Sequence, residues 1–172
     1  MKQPTDPAAR PILVAVDFSP SSERALLWAA HAAKCLGVPL VALHVVHDPE
    51  SAPGYYQRSR KRNKHLKRIE EAAAEMMAEL VDRMAAEHPD LLGELDHRLV
   101  VGLPVTRVLE VGSEIDAQMI VVGSHGRTGL SHLLLGSKAE KIAQLAPVPV
   151  TIVKDGARWR DRPRYPSPRP LD

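Results

Sequence analysis

Gly123-Ser124-His125-Gly126, nine further residues, and then Gly136-Ser137 form the arrangement in this chain whose residue types and spacing suit chemistry. It begins where an apolar run, residues 119–122, gives out, and it ends where an amphipathic stretch begins. Glycine at a strand end lets another group come close to the backbone, because no Cβ stands in the way. A Gly-Ser pair at a helix start offers unpaired N–H groups, a hydroxyl and the positive end of the helix dipole. From such parts a phosphate site is built. The competing account is that these glycines only punctuate an α/β connection. Three glycines and a serine in one register favour phosphate. Two other phosphate loops do not fit. A Walker loop needs Gly-Lys-Ser/Thr, whereas Gly136-Ser137-Lys138 has the order reversed, and Gly123-x-x-Gly126-x-x-Gly129 is not G-x-G-x-x-G.

The elements that must position these residues follow from the apolar pattern. Residues 12–16 are a continuous apolar run that stops at Asp17, the mark of a strand buried on both faces in a parallel sheet. Ser19-Pro20 predicts an N-cap and a first-turn proline, and Gly37 predicts the end of that helix near Leu36. Ala25, Trp28, Ala29, Ala32 and Cys35/Leu36 are expected on its inner face, with Cys35 a small buried hydrophobe. Residues 39–46 predict a second strand. A proline-containing loop precedes a long helix over 61–87, with Leu66, Ile69, Ala73, Met76, Leu80 and Met84 packed on the sheet. Residues 95–101, the least apolar strand, predict a sheet edge. A helix with Val105, Val108, Leu109, Val111 and Ile115 inward precedes the fourth strand, 119–122, and residues 148–153 are the fifth. Five strands alternating with four helices predict an α/β fold, an open parallel sheet with right-handed crossovers.

Composition bounds the rest. The length suits one domain, residues 11–154, between a loose arm at 1–10 and a Pro/Arg-rich tail at 155–172. Aromatics at 3% require an aliphatic core, and a single cysteine excludes an internal disulfide. The formal charge of +2 is segregated, with +1 in residues 1–11 and +3 in 154–172. That leaves −2 for the body by subtraction, which does not suit a nucleic-acid-binding core. No apolar run reaches membrane-span length and no signal-peptide pattern opens the sequence, so the expected location is cytoplasmic, without a membrane.

In open α/β sheets, ligands sit beyond the carboxyl ends of the strands where strand order reverses. With the first and fourth strands adjacent there, Asp17 would face Gly123 across a crevice, its carboxylate accepting from a ribose hydroxyl or an adenine amine. Alternatively Asp17 only caps the first helix. His125 reads as a turn residue rather than a metal ligand, since no partner lies at suitable spacing. The segment 58–68 carries seven Lys and Arg. It reads as a solvated surface, or else as a source of Arg58, Arg60 or Lys61 for a bound polyphosphate.

The spacing Gly123-x2-Gly126-x9-Gly136-Ser137 resembles the nucleotide-binding signature of the ATP-binding universal stress proteins. VAVDFSPSSERALLWAA around Asp17, LHVV at 43–46 and GLP at 102–104 resemble the same family over residues 11–154. The resemblance implies a Rossmann-like sheet of the adenine nucleotide alpha hydrolase-like kind, order 3-2-1-4-5, with helices on both faces. It implies that Asp17 and the Val45 backbone contact adenosine. Gly123, Gly126, Gly136 and Ser137 would then hold ribose and phosphates and Val122 would add a backbone contact, with ATP as the ligand and Mg²⁺ or Mn²⁺ accompanying it. It further implies a homodimer through the last strand, Val148-Pro149-Val150-Thr151-Ile152-Val153, which would otherwise be an exposed edge. The expected function is an ATP-dependent regulator of stress response. A slow ATP hydrolase and a nucleotide-free dimeric interaction module are the alternatives. Nothing in the signature resembles a base or arginine finger arranged for hydrolysis.

Overall fold

A computed structural model describes residues 9–48, 60–92, 95–125 and 135–154, with side chains from residue 66 onward in the second of these segments. Its strands are β1 (Ile12–Val16), β2 (Leu40–His47), β3 (Asp96–Gly102), β4 (Met119–Gly123) and β5 (Val150–Val153). They form one sheet in the order β3-β2-β1-β4-β5, every pairing parallel. The helices are α1 (Pro20–Leu36), α2 (Arg60–Glu87), the single turn α3 (Pro89–Leu92), α4 (Pro104–Glu114) and α5 (Ser137–Leu145). The order and the edge position of β3 are as expected, and α3 is the one helix beyond the expected set.

Strand alternation sorts the core into two layers. Ile12, Val14, Val16, Ala42 and Val121 face α1, α2 and α3, while Leu13, Val41, Leu43, Ile120 and Val122 face α4 and α5. A strand whose successive side chains all meet a helix layer must be apolar throughout, which is why β1 reads as an unbroken run.

Local signals set the helix ends. Ser19 takes extended backbone (φ −85°, ψ 155°), and its hydroxyl accepts from the Ser22 N–H at 3.2 Å. Gly37 closes α1 in the left-handed region at φ 66°. The inner face of α1 differs from the expected one. Ser22, Ala25, Leu26, Ala29, Ala30 and Ala33 are buried, whereas Trp28 is 41% and Leu36 56% exposed. Cys35 is exposed as well, so the expectation that it fills the core is corrected. The small alanines seat α1 close to the sheet, and a bulky Trp on that line would hold it off. The two largest apolar side chains therefore mislead about the helix's phase.

A related correction applies to α2. Ala73, Met77, Leu80 and Met84 are buried at spacings of four, three and four, while Ile69 is 40% and Met76 41% exposed. The second half of α2 packs on the sheet as expected, and the first half carries its apolar residues elsewhere. Arg83 on α2 meets Glu23 on α1 at 2.7 Å. That surface pair is worth at most about 1 kcal/mol and serves mainly to orient the two helices. Arg10, assigned to the loose arm, pairs with Asp116 at 2.9 Å and so sits against the body of the fold.

Candidate functional site

The site is set by a difference in strand length. Pairing of β1 with β2 ends at Val16↔His44, yet β2 continues along β3 as far as His47↔Gly102. On the other side, β1 pairs with β4 only to Val14↔Val121, while β4 continues along β5 to Gly123↔Val153. The chain leaves the sheet at Asp17 while both neighbours run on. A notch opens between β2 and β4, with the β1-side edge of Val45 to His47 uncovered. This is the topological switch point, where crossovers leave toward opposite faces.

The turn out of β1 is held by two short relays. Ser22 N–H donates to Ser19 Oγ at 3.2 Å, and Ser19 Oγ donates in turn to Asp17 Oδ1 at 2.5 Å. Ser22 Oγ donates to the Ser19 carbonyl at 2.9 Å and accepts from the Asp17 N–H at 3.2 Å. Asp17 Oδ1 also accepts from the Ser19 N–H at 3.1 Å. The N-cap is therefore Ser19, and Asp17 braces the cap from outside the helix. Between them Phe18 takes φ 62°, rare for a side chain of its size. Its ring lies 4.3 Å from that of His44. His44 is buried, with Nδ1 2.7 Å from the Val16 carbonyl. A carbonyl only accepts, so Nδ1 carries the proton. The strained turn and the buried histidine thus fix one wall.

The opposite wall is the exit of β4 and the start of α5. Ser124 N–H donates to the Val153 carbonyl and the Gly136 N–H to the Ser124 carbonyl, both at 2.9 Å. Gly136 is the N-cap of α5, takes φ −60° and ψ 134°, and supplies no side-chain acceptor. The N–H groups of the first turn accordingly have no intrahelical partner, and among the described residues no side chain caps them. His125 Nδ1 lies 2.9 Å from Ser124 Oγ, while its Nε2 is buried without a partner among the described residues.

Between these walls lies a cleft of about 520 Å³, within the range of small-molecule sites. Asp17, Val45, Gly123, Gly136 and Ser137 all line it. Val122 is buried with its side chain in the α4/α5 layer and does not line the cleft. Gly126 lies outside the described residues, as do Arg58 and the side chains of Arg60 and Lys61. Sequence reasoning missed Phe18, His44, Ile69, Ala72 and Met76, which also line it. The half-exposed Ile69 and Met76 are explained here: the first half of α2 walls the cleft instead of the sheet. They share the three-and-four stripe of Ala73, Leu80 and Met84, so the spacing alone carried no signal of it.

Gly123 has a different reason from the one its position suggests. A Cβ there would lie 2.8 Å from Ser21 Oγ and 2.9 Å from the Ser21 carbonyl carbon, so the close neighbour is the first turn of α1. At Gly136 a Cβ would lie 3.2 Å from the Ser124 carbonyl oxygen. Both glycines let chain pass close to chain. Among the described residues, no three His, Cys, Asp or Glu gather as a metal cluster. None of the described helices is long and apolar enough to cross a membrane.

A parallel sheet in the order β3-β2-β1-β4-β5, with helices on both faces and a cleft at its switch point, defines a Rossmann-like α/β domain. The chain belongs to the universal stress protein family, whose model matches residues 8–154. A universal stress protein of Mycolicibacterium smegmatis is 35% identical over 148 residues, which cover 84% of this chain and 45% of that protein. Universal stress protein Rv2623 of Mycobacterium tuberculosis is 36% identical over 153 residues, 87% of this chain and 46% of its own length. The chain thus spans about half the length of these relatives. Among solved structures, the universal stress protein UspA from Lactobacillus plantarum has the same fold, with a TM-score of 0.70 at 22% identity over 84% of this chain and 99% of that one. A universal stress protein solved in complex with cAMP matches with a TM-score of 0.56 at 26% identity, over 84% of this chain and 96% of its own.

Proposed function

We propose that this cleft binds an adenine nucleotide, ATP, accompanied by Mg²⁺ or Mn²⁺, and that the bound nucleotide governs the form or partner choice of a homodimer in a stress response. The observation that carries the reading is the notch itself. It sets a carboxylate, Asp17, and the open edge of β2 on one side against the uncapped start of α5 on the other. The apolar side chains of Ile69, Ala72 and Met76 suit the faces of a base, and Asp17 suits sugar hydroxyls or an exocyclic amine. The N–H groups and dipole of α5 suit phosphate oxygens. The complex of a related protein with cAMP supports adenine as the base. ATP would supply a charge-rich ligand whose presence the protein can register. This chain's residues would orient it and shelter its base from water.

Calorimetric titration of ATP into nucleotide-stripped protein with Mg²⁺, using AMP and GTP as controls, tests this. Adenine-selective binding at one site per chain is the expected result, and absence of ATP binding would overturn it. A phosphate-release assay on the same preparation separates binding from slow hydrolysis.

The dimer is tested separately at β5. The Pro149 and Val153 carbonyls accept from Ile120 and Ser124. The alternation of a strand therefore turns the N–H groups of Val150 and Ile152 outward. Val150→Pro removes one outward donor without touching the β4 ladder. By sedimentation equilibrium the parent is expected to be a dimer and Val150→Pro a monomer with an unchanged circular dichroism spectrum. A monomeric parent, or an unaffected variant dimer, would sink the β5 interface.

A further inference from the structure

We infer that Lys138 makes this cleft selective for nucleoside di- and triphosphates over monophosphates and cyclic nucleotides. The inference rests on the nucleotide reading above and assigns a role to a residue outside the Gly/Ser signature. Among the described residues lining the cleft, Asp17 is the one carboxylate and Lys138 the one Lys or Arg. The two come from different elements, Asp17 where β1 ends and Lys138 in the first turn of α5. The cleft therefore holds one acidic side chain, on the turn out of β1, and one basic side chain, on α5, among its described lining residues. Hydrogen-bond donors of a nucleoside suit the acidic one, and phosphates suit the basic one.

Lys138 breaks a local rule. The helix dipole places about half a positive charge at an N-terminus, so a cation in the first turn is repelled. Anionic side chains are the usual occupants of that turn. Glu140, the acidic residue of the same turn, stands two positions on and so on a different face, while Lys141 and Ile142 stand three and four positions on and Leu135 three positions before. No ion pair or hydrogen bond among the described residues engages Lys138. Its side chain is exposed, so packing does not account for it. A cation that opposes the helix dipole and has no partner among the described residues, set at a cleft wall, is where function is expected to override local preference.

Phosphate number is what a full charge there would read. A partial charge from the dipole and a few N–H groups serve a monophosphate or a cyclic phosphodiester. Each further phosphate adds anionic charge that those partial charges do not balance. A mobile ammonium with three donors does, wherever in its reach the terminal phosphates lie.

The test compares parent, Lys138→Gln and Lys138→Arg by calorimetric titration with ATP, ADP, AMP and cAMP. Lys138→Gln is expected to weaken ATP and ADP about tenfold, the size of one charge-assisted contact, and to reduce the salt dependence of ATP binding. AMP and cAMP should change by less than about twofold, and Lys138→Arg should retain the preference for ATP. ATP binding as tight as the parent's, or an equal loss for AMP, would overturn the inference while leaving the cleft assignment standing. A parent that binds none of the four nucleotides would overturn both.

Discussion

Gly123→Ala is expected to unfold at a lower urea concentration than the parent, with a loss of about 1–3 kcal/mol typical of an overpacked core. The added Cβ would sit 2.8 Å from Ser21 Oγ and 2.9 Å from the Ser21 carbonyl carbon. A side-chain hydroxyl can rotate away, but a backbone carbon in the first turn of α1 cannot. Either α1 lifts from β4 or β4 bends outward, and each opens the layer formed by Ala25, Leu26 and Val121. Ser21→Gly should therefore rescue Gly123→Ala only in part, because it removes the hydroxyl and leaves the carbonyl carbon. Equilibrium denaturation of the two single variants and the double variant checks this. Undiminished stability of Gly123→Ala would mean that α1 and β4 are less closely seated than described. The result bears on function too, since Gly123 then acts on the cleft by letting α1 close over β4.

Substitution of Asp17 should separate two roles that one carboxylate serves. Asp17→Ala removes the acceptor of the Ser19 N–H and Oγ, leaving the cap relay without its end point, at a cost of about 1–3 kcal/mol. Asp17→Asn keeps an acceptor oxygen at the same position, so its stability should lie close to the parent's. Both variants lose the charge that would face the ligand. Both should bind ATP about 10–100-fold more weakly, the worth of hydrogen bonds to a charged group. Denaturation combined with ATP titration checks both halves. If Asp17→Asn binds ATP like the parent, Asp17 is a brace for the helix cap and nothing more. That was the competing account of this residue from its sequence position.

The fold was legible because its central strands are buried on both faces and its last strand is apolar throughout apart from Thr151. Residues 12–16, 39–46 and 148–153 have no polar alternation to confuse, and Ser19-Pro20 and Gly37 bracket α1 by backbone chemistry alone. Helix phase was less legible. In α1 the bulky Trp28 and Leu36 suggested one face, but contact with the sheet is made by small residues, and periodicity weighted by size points wrongly when close approach is the requirement. In α2 one apolar stripe does two jobs along its length, core at Met77 and Met84 and cleft wall at Ile69 and Met76. A repeat of three and four cannot say what it faces. At the site, Asp17 and Gly136 are readable from strand ends and helix starts. His44 and Phe18 are not, because their contact depends on how far β2 outruns β1, and register across a parallel pair leaves no mark in either strand.

The early departure of β1 also has a kinetic meaning. The notch is assembled from the ends of β1, β2 and β4, the start of α5 and the first half of α2, segments drawn from nearly the whole length of the domain. No local stretch of chain contains even half of it. Closing such non-local contacts is the slow part of folding, so the cleft should be among the last features to appear during folding and among the first lost when the sheet opens. A nucleotide bound there would couple to the cooperative transition of the entire domain, raising its midpoint as ligand concentration rises. Occupancy would then report on whether the domain as a whole is folded.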